Sequence, residues 1–266
     1  MEKIAYLGPE GSYSHLAAQK IRPCAEGVAY SSFYLAVNAL KNGQCDCAVL
    51  PIENSLNGAV LQNIDLLHAS ENIVAVEELT LTLDHRLATL NGAKKEGINR
   101  IFSHEQPLAQ CAEYLHENFP TAQLISTPST AASLDMVKTT SDAAIVGAHI
   151  MREGICLSPH NIADSNTNYT HFLLVKTGQI DKSKKCKKIF FSITCRHASG
   201  ALLDILEPLR ADGLNMTKIQ SRPIKERTGE YRFFIEVEGD YSDRAVQATF
   251  EKLEKIALSL KLLGAY

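Results

Sequence analysis

Three stretches of the chain place small polar residues where a helix begins: Gly8-Pro9-Glu10-Gly11-Ser12-Tyr13-Ser14, Asn54-Ser55-Leu56-Asn57-Gly58 and Ser129-Thr130. Each follows an apolar, strand-like run across a loop. Serine and asparagine at such positions accept from free helix N–H groups, and ordinary capping is one reading of all three. The other reading is chemical. Unpaired N–H groups at a helix start receive an anion without any basic side chain. In α/β lobes such loops gather at the carboxyl ends of strands, where ligands bind. Three of them would suit a small dicarboxylate in a chain whose formal net charge is -3. The glycine loop lacks the Gly-Lys-[Ser/Thr] ending of a P-loop.

Three other residues carry usable chemistry. His104 follows a strand and opens a helix, where a histidine serves a ligand, a cap or the core. Glu53, in Pro51-Ile52-Glu53-Asn54-Ser55, is either a paired structural carboxylate or an acid/base group. Thr170 stands just before a strand at Phe172–Val175 and is unremarkable in isolation. No histidine cluster has the spacing of a metal site. No Gly-x-Ser-x-Gly elbow occurs. Neither a metal nor an organic cofactor is expected.

The elements that must position these residues show in the apolar pattern. Strands are expected at Ile4–Leu7, Ala48–Leu50, around Leu79–Leu83, Arg100–Phe102, Ala122–Ile125, Ala143–Val146 and Phe172–Val175. Helices are expected after Ser32, through Val60–Leu67, after Ser103 and after Ser129 through Val137. Ser103 with Gln106 has the capping-box pattern, with Pro107 in the first turn. This alternation predicts α/β lobes with largely parallel sheets over residues 1–176, the second lobe covering roughly 80–158. Residues 177–187, polar and basic, read as a solvated linker. Residues 188–266 follow the order βαββαβ of the ferredoxin-like split motif. There the strands are Ile189–Thr194, Met216–Ser221, Phe233–Val237 and Leu258–Leu263, with helices over Ala201–Leu209 and Ala245–Ile256. Arg227-Thr228-Gly229-Glu230 reads as a turn. Pro208 is expected to kink or shorten its helix.

Composition narrows the function classes. The 266 residues suggest two or three compact units of roughly 100–150 residues each. A mildly negative chain has no overall field for nucleic acid or an anionic membrane, so neither partner is expected. Met1-Glu2-Lys3 runs straight into a strand, unlike a secretory signal. No apolar stretch approaches the ~20 residues that span a bilayer. Seven cysteines, an odd number, include no Cys-x-x-Cys. They read as reduced thiols in a cytoplasmic protein.

Taken in order, the segments resemble the prephenate dehydratase family. The resemblance rests on Gly8–Ser14, Pro51–Ser55 with Gly58, Ser103-His104-x-Gln106 leading to Gln110-Cys111, Ser129-Thr130-Ala131-Ala132, Ala143-Ala144-Ile145 and Asn168-x-Thr170-x-Phe172. Gly200-Ala201-Leu202 and Ser221-Arg222-Pro223 resemble the phenylalanine-binding ACT domain of the same enzymes. The resemblance implies two periplasmic-binding-protein-like lobes with a cleft between them, and an ACT domain that self-associates and binds phenylalanine as a feedback regulator. It implies decarboxylative dehydration of prephenate to phenylpyruvate. Thr170 and Glu53 are the implied catalytic residues. Ser12, Asn54, Ser55, His104, Gln106, Ser129, Thr130, His171 and Phe172 are implied around the substrate.

The reaction removes a ring carboxylate as carbon dioxide and a ring hydroxyl as water, with aromatisation as the driving force. Thr170 is a poor free acid and reads as a hydrogen-bond donor to the departing hydroxyl. The sequence departs from the family twice. His171 stands where arginine is usual. It either takes over part of an anion contact, with affinity strengthening as pH falls through about 6.5, or points away. Gln220 stands where glutamate is frequent, which bears on phenylalanine control. An arogenate dehydratase, a non-aromatising decarboxylase, a non-catalytic amino-acid sensor and a solute-binding protein are the competing readings. Retained Thr170 and the ACT-like segment weigh against the decarboxylase, and the missing signal against the solute-binding protein.

Overall fold

Short apolar runs bounded by capping residues build the first layer of this structure, a computed structural model that describes residues 1–165, 167–224 and 230–266. The chain forms two compact units: Met1–Gly58 with Leu79–Phe172, and Ala59–Glu78 with Leu173–Tyr266. In chain order the elements begin β1 (Lys3–Leu7), α1 (Tyr13–Ile21), β2 (Glu26–Tyr30), α2 (Phe33–Lys41), β3 (Cys47–Asn54), β4 (Gly58–Ala59), α3 (Leu61–Ala69), β5 (Ile73–Thr82) and β6 (His85–Leu90). Then come β7 (Arg100–Ser103), α4 (Glu105–Gln110), α5 (Ala112–Asn118), β8 (Gln123–Ser126), α6 (Thr130–Ser133), β9 (Asp142–Gly147), β10 (Ile155–Leu157) and β11 (Tyr169–Thr177). The last are β12 (Lys188–Thr194), α7 (Ala201–Ala211), β13 (Met216–Pro223), β14 (Tyr231–Glu238), α8 (Arg244–Ile256) and β15 (Ser259–Ala265).

The first unit carries two sheets. In one, β1 lies between β2 and β3, parallel to both, with β11 beyond β3. Ile4, Ala5, Val49 and Leu50 are buried there with Ala17, Val37 and Leu40 of α1 and α2. The other sheet has the order β10-β6-β9-β7-β8. Every residue of β9 is buried, as expected of a strand covered on both faces. Its first residue, Asp142, is a fully buried carboxylate. It accepts from the N–H groups of Lys138 and Thr139, from the Thr139 hydroxyl and from Arg100. The sheet is mixed rather than largely parallel: β7 runs parallel to β8 and β9, while β6 runs antiparallel to β9 and β10. The strands β2, β6 and β10 had no clear apolar signature, being short or partly exposed.

The second unit contains the order βαββαβ from β12 to β15, in an antiparallel sheet β13-β14-β12-β15. Phe191, Ile205, Leu209, Ile235, Phe250 and Leu253 form its core. The helix α7 runs through Pro208 to Ala211, so the proline does not shorten it. Within this unit α3 is tied down at three points. Arg222 pairs with Asp65, His68 Nδ1 lies 2.9 Å from Ser192 Oγ, and Lys261 donates to the carbonyls of His68 and Ser70.

One cap moved by a residue. His104, not Ser103, caps α4, its ring nitrogen accepting from Gln106 N at 3.3 Å. Ser103 ends β7 and donates from a buried position to Ile145 O at 2.9 Å. The helix after Ser129 is also shorter than the apolar pattern suggests, passing into a 3-10 turn at Leu134–Met136. The expected turn at 227–230 falls, except for Glu230, outside the described residues.

Candidate active site

A cleft of about 820 Å³ opens in the first unit, lined from both of its sheets. From one side come Gly8, Gly11, Ser12 and Tyr13; from the other His104, Ser129, Thr130 and His149. The described lining has no lysine, arginine or carboxylate. Its polar character comes from helix starts. Ser12 Oγ accepts from His15 N at 3.2 Å, and Ser129 Oγ accepts from Ala132 N at 3.0 Å. Two histidines brace the Gly11 turn: Gly11 N donates to His15 Nδ1 at 3.0 Å, and His149 Nε2 lies 2.9 Å from Gly11 O. Gly11 itself has φ +83, and a Cβ there would stand 2.8 Å from Ile150 Cδ1. The positive φ favours glycine, and a larger residue would also have to move the end of the Ile150 side chain. Burial lowers the pKa of His149, favouring the neutral ring.

The second group of polar side chains sits where β3 ends and β11 begins. Asn54 Nδ2 donates to Asn168 Oδ1 at 2.9 Å, Tyr169 O at 3.0 Å and Thr170 Oγ1 at 3.0 Å. Its Oδ1 accepts from Leu56 N, Asn57 N and Asn57 Nδ2. Ser55 fastens the same junction, its hydroxyl donating to Thr167 O and accepting from Tyr169 N. Asn54 and Thr170 are only 6% and 7% exposed.

The two groups are joined by hydrogen bonds. Tyr13, a cleft residue, donates to Asp84 O at 2.9 Å and lies 3.4 Å from His85 Nδ1. His85 Nε2 lies 2.9 Å from Gln110 Oε1, which accepts from Asn168 Nδ2 at 3.0 Å. Burial raises the pKa of Tyr13 and lowers that of His85, so both are neutral near pH 7. Burial also pushes the nearby Cys111 thiol up to about 12, which removes it as a nucleophile at neutral pH.

Of the residues singled out from sequence, Ser12, His104, Ser129 and Thr130 meet at the cleft, while Asn54, Ser55 and Thr170 meet at the β3–β11 junction. Gln106 is exposed on the first turn of α4. Phe172 is buried in the core at 2% exposure. Strand alternation sends Glu53 to the opposite face of β3 from Asn54, and His171 to the opposite face from Thr170. His171 Nδ1 lies 2.7 Å from Thr80 Oγ1, with the ring edge-on to Tyr169. Missing from the sequence reading were His85 and His149, which have no local motif. Also missing as site residues were Gln110 and Asn168; Asn168 could have been found from its place two residues before Thr170 on the same face.

The fold and the site define a two-lobed α/β ligand-cleft domain joined in sequence to a βαββαβ unit. A family model described as prephenate dehydratase matches residues 4–180. The chain belongs to the prephenate dehydratase family, and it is an enzyme of the lyase type. It is 33% identical over 273 residues to the prephenate dehydratase of Lactococcus lactis subsp. lactis, covering 99% of this chain and 97% of that one. It is 34% identical over 268 residues to the bifunctional chorismate mutase/prephenate dehydratase of Neisseria gonorrhoeae, covering 99% of this chain and 74% of that one. Among solved structures, prephenate dehydratase in complex with L-Phe from Arthrobacter aurescens aligns with a TM-score of 0.87 at 25% identity, over 99% of this chain and 90% of that one.

Proposed function

We propose that the chain carries out its prephenate dehydratase chemistry, the decarboxylative dehydration of prephenate to phenylpyruvate, with Thr170 as hydrogen-bond donor to the departing hydroxyl. The observation that carries this reading is the bond from Asn54 Nδ2 to Thr170 Oγ1 at 3.0 Å. An amide nitrogen accepts nothing, so Thr170 must accept here. Its own proton is left to donate elsewhere. A developing hydroxide is stabilised by such a positioned donor.

The helix starts at Ser12, His104 and Ser129 suit the substrate's two carboxylates, because their N–H groups attract anions in a cleft whose described lining has no fixed positive side chain. Loss of carbon dioxide is favoured when the leaving carboxylate is only weakly solvated, and the apolar residues of the same lining serve that end. The placement of Glu53 supports its structural reading over an acid/base role. The placement of His171 against Thr80 supports the reading in which it points away from substrate.

Residues 188–266 fit an ACT domain, on the strength of their βαββαβ order and the motif-bearing positions. Gly200, at φ +82, opens α7 ahead of Ala201 and Leu202, and Ser221-Arg222-Pro223 closes β13. We read these two segments as the place where phenylalanine binds, in self-associated chains, to regulate turnover. A cytoplasmic setting belongs to the same reading, supported by seven cysteines with no paired spacing.

The test is turnover of prephenate at neutral pH, followed by phenylpyruvate absorbance in alkali, with and without phenylalanine. Thr170→Val should abolish turnover and leave the fold intact; wild-type turnover in that variant would remove Thr170 from the mechanism. Turnover of arogenate in preference to prephenate would move the substrate assignment. Absence of phenylalanine binding by calorimetry would sink the regulatory part alone.

A further inference from the structure

We propose that His85 is a positioning residue for this reaction: through its Nε2–H it sets the orientation of Gln110, and through Gln110, Asn168 and Asn54 the direction in which Thr170 donates. The proposal rests on the reading of Thr170 given above.

Hydrogen-bond polarity along the array can be derived from one end. The N–H groups of Leu56 and Asn57 can only donate, and both reach Asn54 Oδ1, at 3.2 and 3.1 Å. That fixes the Asn54 amide, so its Nδ2 must be the group facing Asn168 and Thr170. Asn168 therefore presents Oδ1 to Asn54 and Nδ2 to Gln110. Gln110 must in turn present Oε1, since its Nε2 would set two donors against each other. The ring nitrogen of His85 on the same oxygen, at 2.9 Å, must then carry a hydrogen. The other ring nitrogen, Nδ1, then carries none and lies 3.4 Å from the Tyr13 hydroxyl. The single proton of that hydroxyl is directed mainly to Asp84 O at 2.9 Å and is the only hydrogen available to the longer contact.

This orientation leaves Gln110 Nε2 buried without a hydrogen-bond partner among the described residues. Buried amide donors left unpaired are costly, so a free glutamine would turn over. What holds it is the pair of donors converging on Oε1, from Asn168 and from His85. Removing the His85 donor removes half of that constraint. Gln110 could then rotate, and the bond that aligns Asn168 with Asn54 and Thr170 would loosen. His85 is 1% exposed and rigidly held, its backbone N–H bonded to Asn161 Oδ1 at 3.0 Å. Its one contact with a helix start is the Tyr13 hydroxyl, 3.4 Å from Nδ1 and itself tied to Asp84 O, while it bonds none of Ser12, His104 and Ser129. Its loss should therefore act on turnover more than on binding.

The experiment compares His85→Phe with His85→Gln, alone and in a Thr170→Val background. A glutamine can return a donor near the position of the imidazole Nε2; phenylalanine keeps the bulk only. His85→Phe should lower kcat by about 10- to 100-fold, the scale of a misplaced catalytic group, with KM little changed. His85→Gln should recover most of that loss. In the Thr170→Val background His85→Phe should add no further loss. A normal kcat in His85→Phe, while Thr170→Val is inactive, would overturn this inference alone. Equal losses in the phenylalanine and glutamine variants, with KM rising, would also overturn it. Wild-type turnover in Thr170→Val would instead overturn the reading of Thr170 beneath it. Nitrogen-15 NMR of the wild-type histidines tests the same point without any variant: His85 should be the Nε2–H tautomer, and the Nδ1–H tautomer would refute the proposal.

Discussion

Asn54 Nδ2 donates to Thr170 Oγ1 across 3.0 Å and 116 positions of sequence, joining the end of β3 to the start of β11. The two roles of Asn54 can be separated. Asn54→Asp keeps an oxygen for the N–H groups of Leu56 and Asn57 but has no donor for Thr170, whose proton would turn to the new carboxylate. Turnover is expected to fall by about 100-fold, the scale of a lost transition-state donor, with folding little affected. Asn54→Ala loses both roles, and should also cost about 1–3 kcal/mol of stability for the unpaired N–H groups. Steady-state kinetics and denaturant melts on the two variants check this.

His171 is expected to leave substrate affinity independent of its protonation, because Thr80 holds its Nδ1 and strand alternation turns it from Thr170. The pH dependence of KM from about pH 5.5 to about pH 8, the range over which a histidine switches charge, should be the same in the wild type and in His171→Gln. A KM that falls as pH drops through this range in the wild type, and not in His171→Gln, would restore the anion-contact role.

Asp142 should be the most costly surface-remote carboxylate to remove. It is 0% exposed and bound by Lys138 N, Thr139 N, the Thr139 hydroxyl and Arg100. Burial pushes its pKa up, but these hydrogen bonds outweigh burial and hold it below the ordinary carboxylate value. A depressed carboxylate contributes stability that is present above its unfolded pKa and lost as pH falls through the folded one. Asp142→Ala is expected to cost about 1–3 kcal/mol in denaturant melts, since it leaves two N–H groups without their acceptor, while the half-exposed Arg100 remains solvated. The loss should shrink in acid.

His68 should make the protein less stable in mild acid. Burial, then the charges of Arg232 and Lys261, lower its pKa to about 4, against a smaller raising effect of Asp65. The unfolded chain therefore takes up a proton between the ordinary histidine value and about 4 that the folded chain refuses. Stability should fall as pH falls through that window and level off below it. Replacing His68 with asparagine, which does not titrate, should flatten this part of a pH-dependent urea series. An unchanged slope would show that other groups govern it.

Much of this structure was legible because it is written in short-range chemistry. Ser12, Ser32 and Ser129 cap their helices as a serine before an apolar stripe should, each accepting from the N–H three residues on. The run Ala143–Val146 read as a strand and lies within β9, whose burial on both faces the structure added. The order βαββαβ of residues 188–266 followed from periodicity alone. The cap at His104 shows the limit of such reading: Ser103 has the better capping side chain, but its hydroxyl is taken by Ile145 O in the neighbouring strand.

Sequence by itself determined most of the elements and the family, because caps, apolar periods and ordered motifs depend on neighbours a few positions apart; Thr170 stood out only through the family resemblance. Only the tertiary structure decided how Thr170 is held. Tyr13, His85, Gln110, Asn168 and Asn54 come from five separate elements or loops, and meet through strand register and sheet order. It likewise decided that α3 belongs with the C-terminal unit, pinned by Arg222, Ser192 and Lys261. Hydrogen bonds of this kind have no signature along the chain: each needs two groups brought within about 3 Å by packing that buries quite different residues.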